Sequence, residues 1–213
     1  MDSLIRPAKK EDTDFLAWAI LAAGRSHLPK GWFDVVLDRP EASCLEYLRR
    51  LTLTPSRSWW HYSRFLVAEV EGAPVSALYA FRAGDAYPLS QQAMTEAAQD
   101  LGWGAAELHA MWQRGAYIFT CTLETDDNVW AIENIATLPT HRGRGLAPLL
   151  LERAVTAGRR NRARQAQITF FIGNDAAERA YAKAGFTLKD EKRDPNFEAA
   201  TGAPGLRRYT REL

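Results

Sequence analysis

The chain has 213 residues, of which 46% are hydrophobic and 25% charged, and its formal net charge is +1 at pH 7. This length and composition are typical of a globular protein with one substantial core, and we predict a single domain over residues 1–213. The near-neutral charge excludes a global field that would attract nucleic acid or an anionic membrane, so any anion site has to be local.

The cysteines and the hydropathy pattern indicate the compartment. Cys44 and Cys121 are not spaced as metal ligands or as a redox pair, which favours buried thiols in a reducing compartment and leaves a disulfide open. Residues 1–6 lack the apolar core of a signal peptide, and no run of 18 apolar residues follows. We therefore expect a cytoplasmic protein without a membrane span.

Apolar periodicity and turn signals predict a chain that mixes strands and helices. In chain order we predict a strand at residues 4–8, helices at 13–24 and 44–51, strands at 65–70 and 75–81, helices at 89–101 and 105–112, a strand at 129–138, a helix at 146–160, a strand at 167–172, a helix at 175–184, and strands at 187–191 and 206–212. The segment Glu71-Gly72-Ala73-Pro74 predicts a β-hairpin between the second and third strands.

Three segments have weaker patterns. Residues 84–128 are the least legible part of the chain and include a strand-like but ambiguous stretch at 117–123. Residues 27–39 are predicted to be a polar and aromatic connection, and residues 194–205 a long loop between the last two strands. Because no repeat or low-complexity linker divides the chain, we predict no domain boundary.

An anion-binding turn is predicted at Arg142-Gly143-Arg144-Gly145-Leu146-Ala147, between the strand at 129–138 and the helix at 146–160. Glycines let the backbone approach a ligand closely, and the first turn of a helix offers unpaired N–H groups at the positive end of the helix dipole. Such turns also occur where strands and helices merely pack closely. The turn lacks the Lys-Ser/Thr ending of a phosphate loop, and no Gly-x-Gly-x-x-Gly follows the first strand, which disfavours a nucleotide triphosphatase and a dinucleotide fold.

A second signal is the helix that follows Asn174. Its small and aromatic residues share one face, and Gly185 and Phe186 follow as a helix stop and a return to core packing. The residues on that face are Ala177, Ala180, Tyr181 and Ala184. Taken alone, this pattern favours an amphipathic helix whose tyrosine belongs to the core.

Together the two segments resemble the GNAT superfamily of N-acetyltransferases. The family's phosphate-binding pattern, Arg/Gln-x-x-Gly-x-Gly/Ala, is matched by Arg142, Gly145 and Ala147. The family's later segment, Asn-x-x-Ala-x-x-x-Tyr followed by Gly-Phe, is matched by Asn174, Ala177, Tyr181, Gly185 and Phe186. The resemblance is specific over residues 129–188. Residues 84–128 depart from it, because many members join the third and fourth strands by a short hairpin.

The resemblance implies an α/β fold: a mixed, largely antiparallel twisted sheet flanked by helices, with residues 84–128 as a helical insertion before the fourth strand. It implies transfer of an acetyl group from acetyl-CoA to an amine by direct attack, without a metal. The implied pyrophosphate contacts are Arg142, Gly143, Arg144, Gly145, Leu146 and Ala147, with Pro148 in the first helical turn. The implied pantetheine contacts are Ile135, Ala136 and Thr137, which would pair with it like an added strand.

Catalytic roles also follow from the resemblance. Tyr181 would give a proton to the departing thiolate, and Asn174 would orient the strand end or contact CoA. Glu133 is the first choice for the base that takes the proton of the amine, because alternation puts it on the face of Ala131 and Ile135. A salt-bridged glutamate is an equal alternative. Backbone N–H groups at residues 134–136 are candidates for the oxyanion site.

Other candidates carry less weight. Glu124, Asp126 and Asp127 are alternative bases, although a solvated loop explains them better. The histidines lack ligand spacing, which disfavours a metal site, and the arginine run fits a solvated helix end better than nucleic acid. The histidines are His27, His61, His109 and His141, and the arginines are Arg159, Arg160, Arg162 and Arg164.

The acceptor side is the least defined. Trp103, His109 and Trp112 of the insertion are candidates for the acceptor pocket, residues 194–205 for its border, and residues 59–62 for either core or pocket wall. The identity of the amine stays open, as does the oligomeric state, for which a homodimer is one possibility. The main alternative is a non-catalytic acyl-CoA-binding module that keeps the cofactor site without turnover.

Overall fold

A seven-stranded sheet forms the centre of the computed structural model, which describes residues 3–213. The strands are β1 (Ser3–Pro7), β2 (Phe65–Val70), β3 (Ala73–Arg82), β4 (Trp130–Thr137), β5 (Gln165–Phe171), β6 (Thr187–Arg193) and β7 (Gly205–Glu212). Their order in the sheet is β1-β2-β3-β4-β5-β7-β6, and every neighbouring pair is antiparallel except β4 and β5. The prediction of a mixed, largely antiparallel sheet is therefore confirmed.

Helices cover both faces of the sheet. They are α1 (Thr13–Arg25), α2 (Trp32–Leu37), α3 (Glu41–Leu51), α4 (Ala83–Ala86), α5 (Ser90–Asp100), α6 (Ala105–Gly115), α7 (Leu146–Arg160), α8 (Asp175–Lys183) and α9 (Pro195–Thr201). The insertion between β3 and β4 is helical, as expected, and consists of α4, α5 and α6 joined by short turns.

Two apolar clusters hold these layers together. One cluster packs α1, α3 and the insertion against one face of the sheet, with Leu16, Ile20 and Leu48 fully buried. The other packs α7 and α8 against the opposite face around Leu150 and Val155. Burying each such side chain contributes roughly 1.5–3 kcal/mol, so the clusters fix the helices on the sheet. Among residues 3–213, no helix is long and apolar enough to cross a membrane.

The β2–β3 hairpin forms as predicted, with a tighter turn. Glu71 and Gly72 alone make the turn, and both have positive φ, 53° and 80°. That is the two-residue geometry whose twist matches antiparallel strands. Ala73 and Pro74, expected in the turn, already belong to β3.

Two loop or strand predictions are wrong. Residues 116–120 form a 3₁₀ helix rather than a strand, because Tyr117 and Ile118 pack on one side against the small cluster around Phe197 instead of meeting a neighbouring strand. The predicted loop at 194–205 contains α9, whose first turn is capped by the Asp194 carboxylate accepting from two backbone N–H groups. A Pro at the first helical position was the visible signal.

The connection at 27–39 also contains a helix. The Asp34 carboxylate of α2 accepts from the Gly31 N–H at 2.8 Å and pairs with Arg25 at the end of α1 at 2.7 Å. This carboxylate both caps α2 and fixes it against α1. Helix α1 therefore runs one residue past Gly24, where the sequence predicted its end.

Candidate active site

The sheet opens where β4 leaves β5. The two strands are parallel but pair only at Trp130 with Ala166 and at Ala131 with Gln167. Beyond this junction β4 continues for six residues along β3. In the described part of the chain no strand pairs with those six residues on the side of β5. A cleft bordered by a free strand edge results.

The main-chain groups of β4 alternate between β3 and the cleft. The Ala136 carbonyl accepts from the Ser76 hydroxyl at 3.0 Å, and the Leu138 N–H donates to the Val75 carbonyl at 2.9 Å, so both face β3. Successive residues of a strand point these groups to opposite edges, so those of Ile135 and Thr137 face the cleft. The Thr137 carbonyl accepts there from Arg142 Nε at 3.3 Å.

A bulge interrupts β4 just before that edge. Residues 133–136 of β4 lie opposite residues 77–79 of β3, so β4 has one extra residue, and Asn134 has a φ of +49°. The Asn134 side-chain amide donates to the hydroxyl of Tyr79, which is buried. Bulges of this kind redirect side chains and main-chain groups.

The bulge changes which residues share a face with Glu133. Ala131 and Ala136 both belong to the cluster on the α1 side, whereas Ile135 packs with α7 on the opposite side. The expectation that Glu133 shares a face with Ile135 is therefore wrong, because strict alternation ends at Asn134. Glu133 lies on the α1 side, where Tyr87 meets it.

Glu133 sits in a nearly dry environment that solvent still reaches. Its surface is partly accessible, yet protein surrounds the carboxyl group so closely that burial raises its pKa from 4.5 to about 8. The Tyr87 hydroxyl donates to Glu133 Oε1 at 3.0 Å and opposes part of that rise in pKa. Among residues 3–213, no basic side chain forms an ion pair with Glu133, which argues against the salt-bridge alternative.

The pKa values of Tyr79, Tyr87 and Tyr181 are raised, mainly because each tyrosine is buried and in addition because the charge of Glu133 opposes ionisation. The Tyr79 hydroxyl accepts from Asn134, and the Tyr87 hydroxyl donates to Glu133. The ring of Tyr181 packs against Phe170 with centroids 5.2 Å apart. Within the described residues the Tyr181 hydroxyl alone of the three has no hydrogen-bond partner, so its proton is available to a ligand.

The glycine-rich turn ends beside the same cleft. Gly143 and Gly145 have φ values of +75° and +79°, and no atom lies within 4 Å of where a side chain would begin. Gly145 directly precedes α7. The first N–H of this helix to form an intrahelical hydrogen bond is that of Leu149, which donates to the Gly145 carbonyl at 3.3 Å. The N–H groups of Leu146 and Ala147 therefore precede any intrahelical bond, and this donor set fits a pyrophosphate.

Comparison with known proteins decides the family. The model of the acetyltransferase (GNAT) family matches residues 32–186, more than half of the chain. The chain belongs to the GNAT family of acetyltransferases. Members of this family use acetyl-CoA and acetylate amine-bearing acceptors. No curated protein sequence matches the chain at a significant level.

Solved structures share the GNAT fold over the whole chain. One is an acetyltransferase with 21% identity, 99% of each chain covered and a TM-score of 0.69. Another is an N-acetyltransferase from Staphylococcus aureus Mu50, with 20% identity, 98% of this chain and 100% of that chain covered, and a TM-score of 0.67. A third is a polyamine N-acetyltransferase of Drosophila melanogaster that forms N-acetylagmatine, with 17% identity, both chains fully covered and a TM-score of 0.55. At these identities the likeness supports the fold alone.

Asn174, part of the GNAT pattern, links two elements beside the cleft. Its side-chain oxygen accepts from the Ala177 N–H at 3.1 Å and caps α8, and its amide donates to the Ser26 hydroxyl at 2.7 Å. It therefore orients the start of α8 against the end of α1. Contact with CoA stays a prediction.

The remaining residues of the glycine-rich turn lie at the surface. Arg142, Arg144 and Pro148 are exposed, and Arg142 bonds the end of β4 through Thr137. An exposed cation at this place can add charge to a main-chain anion site, but surface exposure keeps each contribution small.

The alternative bases lie outside the cleft. Glu124, Asp126 and Asp127 are all exposed in the segment before β4. Asp126 caps the Asn128 N–H at 2.7 Å, and the Asp127 carbonyl accepts from the Gly84 N–H at 2.9 Å. These contacts stabilise the turn that leads into β4, which agrees with the interpretation of the three residues as part of a solvated loop.

The insertion reaches the GNAT site through a residue that the sequence did not indicate. Trp103 stacks on Tyr47 with centroids 5.5 Å apart, and His109 is exposed. Tyr87 instead contacts Glu133, and the ring of Trp59 lies 5.2 Å from that of Tyr87. Only the aromatic character of the segment before α5 could have signalled Tyr87.

The packing around the site includes the aromatic run at 59–62 and Trp112 of the insertion. Trp60 is core, with 3% of its surface exposed, and Trp112 packs against the same cluster. Trp59 is half-buried behind Tyr87. The run is thus core at Trp60 and wall at Trp59.

Within residues 3–213, neither the histidines nor the residues of the arginine run form a hydrogen bond or ion pair with Glu133. His61 is buried, and burial lowers its pKa to about 4, which keeps it neutral. Over residues 3–213, no group of three or more His, Cys, Asp or Glu could hold a metal ion. Arg162 and Arg164 line a depression of about 400 Å³ at the start of β4 and β5, away from Glu133. A second depression, of about 290 Å³, lies between α1 and α3.

Proposed function

We propose that this GNAT enzyme transfers the acetyl group of acetyl-CoA to a primary amine by direct attack, with Glu133 as the base and Tyr181 as the acid. The observation that carries the proposal is the Glu133 carboxyl group, which protein encloses beside the open edge of β4, with Tyr87 as its hydrogen-bond donor and a pKa raised to about 8. The charge of Glu133 also raises the pKa of Tyr181, whose hydroxyl has no hydrogen-bond partner among residues 3–213.

The donor side rests on main-chain groups. We assign the pyrophosphate to the N–H groups of residues 143–147 at the start of α7. Ile135 and Thr137 would pair with the pantetheine amides, because their main-chain groups face the cleft. Ala136 lies between them, and its carbonyl accepts from Ser76 on the β3 side, so it would form no hydrogen bond with pantetheine.

The acceptor side rests on Glu133. A free alkylamine is mostly protonated at pH 7 and cannot attack until it loses a proton. A carboxyl group with a pKa near 8 takes that proton far more readily than one at 4.5, since a catalytic pKa near the working pH is the most effective. N–H groups exposed by the bulge at Asn134 would bind the developing oxyanion.

Departure of the thiolate is assigned to Tyr181. Burial and the nearby Glu133 keep its hydroxyl protonated, and within residues 3–213 no side chain engages that proton. Cys44 and Cys121 are fully buried, so neither supplies a nucleophile at the cleft. Direct attack by the amine therefore needs no covalent enzyme intermediate.

The test is acetyl transfer to a panel of amines. The panel includes agmatine, because one structure of similar fold forms N-acetylagmatine, along with polyamines, amino acids and peptides. Release of CoA thiol and mass spectrometry of the product report transfer. Tight acetyl-CoA binding without transfer to any amine would contradict the proposal and favour the non-catalytic module.

A further inference from the structure

Glu133 is held by a side chain that comes from the insertion. Tyr87 begins the 3₁₀ turn between α4 and α5, 46 residues before Glu133 in the chain, and its hydroxyl donates to Oε1 at 3.0 Å. A carboxylate oxygen that accepts such a bond is fixed in position, and the second oxygen, Oε2, is left for another partner.

The ring of Tyr87 is itself fixed. Trp59 and Phe81 approach it in edge-to-face contacts, with centroids 5.2 and 5.1 Å away and ring planes at 74° and 90°. The Ser90 hydroxyl donates to the Tyr87 carbonyl at 2.6 Å and holds the backbone of the turn. Because ring and backbone are both held, the hydroxyl has little freedom to leave Glu133.

The β5 strand contributes a neighbour to this region. Gln167 is buried on β5 at the β4–β5 junction, where it pairs with Ala131. Its side-chain amide donates to the Thr125 hydroxyl at 3.3 Å, so the geometry leaves Tyr87 as the hydrogen-bond donor to Glu133.

We propose that Tyr87 is a positioning residue that binds one oxygen of Glu133 and leaves the other oxygen facing the acceptor amine. The inference rests on the proposed function for its catalytic consequence. It gives the insertion a purpose: the loop that departs from a short hairpin supplies the contact that orders the base.

The sign of the effect follows from the chemistry of the bond. A donor to a carboxylate stabilises the ionised form, so removing the Tyr87 hydroxyl raises the pKa of Glu133 further. A charge-assisted hydrogen bond of ordinary strength corresponds to about one pKa unit. The loss of an ordered oxygen would also lower kcat, while the KM for acetyl-CoA would not change.

The experiment compares the wild type with Tyr87→Phe and Tyr47→Phe. Tyr47→Phe is the matched control, because it removes another buried tyrosine hydroxyl, which donates to the Met94 carbonyl at 2.9 Å in the same helical layer. The pH–rate profile is measured with an amine from the panel. The carboxyl carbon of Glu133 is titrated by NMR in protein with labelled glutamate, with Glu133→Gln for assignment.

We expect Tyr87→Phe to shift the midpoints of the pH–rate profile and of the Glu133 titration upward by about one pH unit, and Tyr47→Phe to lower the melting temperature without shifting either midpoint. An unshifted Glu133 titration in folded Tyr87→Phe would overturn the inference. If no amine is acetylated, the proposed function fails separately, and the titration still decides whether Tyr87 binds Glu133.

Discussion

Glu133→Gln is the sharpest test of the base, because the unusual pKa predicts how the effect changes with pH. With a pKa near 8, about one-hundredth of Glu133 is ionised at pH 6, about one-tenth at pH 7 and most of it at pH 9. Glutamine keeps the shape and still accepts from Tyr87 but cannot take a proton. The rate ratio of wild type to variant should therefore rise with pH, to on the order of 100-fold above pH 8.

The same substitution should stabilise the fold in alkaline solution. Below pH 4.5 the carboxyl group is protonated in both the folded and unfolded states, so its burial does not lower the free energy of unfolding. Between pH 4.5 and 8 only the unfolded state ionises, and the free energy of unfolding falls by about 1.4 kcal/mol per pH unit. Above pH 8 the carboxyl group is ionised in both states, and the free energy of unfolding is lower than at acid pH by on the order of 5 kcal/mol. Glutamine carries no such penalty.

Both effects can be measured on the same samples. Initial rates at saturating acetyl-CoA give kcat between pH 6 and 9.5, and thermal melts at the same pH values give stability. The expected result is a variant that is slower and more heat-resistant than the wild type, with both differences growing as pH rises. Parallel pH–rate profiles, or a variant less stable at pH 9 than the wild type, would refute the reasoning.

Three further substitutions test the other assignments. Tyr181→Phe should lower kcat at least tenfold with acetyl-CoA affinity unchanged by calorimetry, and wild-type turnover would remove the acid role. Gly145→Glu should abolish acetyl-CoA binding, because the new side chain is bulky and its charge repels the pyrophosphate. The control is Gly102→Glu, at a φ of +75° with the same open space, which should strain the backbone equally but bind acetyl-CoA normally. Asn174→Ala should cost about 1 kcal/mol of stability by loss of the α8 cap, measured by urea unfolding; an unchanged midpoint would contradict the cap.

The strand, glycine turn and helix of the candidate donor site were predictable because their signals are local. Strand, glycine turn and helix succeed one another within residues 130–160, and the helix at 146–160 has the predicted ends. Positive φ at Gly143 and Gly145 agrees with the reason for expecting glycine there. The hairpin at Glu71-Gly72 was equally local.

The acceptor side was less predictable because its contacts are distant in the chain. The bond from Tyr87 to Glu133 joins residues 46 positions apart, and no periodicity announces it. The bulge at Asn134 depends on a partner in β3, so strict alternation placed Ile135 on the wrong face. The stretch 117–123 has the β-branched and aromatic composition of a strand, but tertiary packing on one side decided its conformation.

The free edge of β4 has a consequence for the protein before it meets its ligand. In the part of the chain that the structure describes, six residues of β4 have no neighbouring strand on the side of β5, and such an edge can template pairing with another chain and start aggregation. The bulge at Asn134 twists that edge, and the edge is short, two features that natural sheets use against such pairing. A ligand that occupies the edge would then slow amide hydrogen exchange at Ile135 and Thr137 and stabilise the fold by mass action, so acetyl-CoA would act as a folding partner as well as a donor.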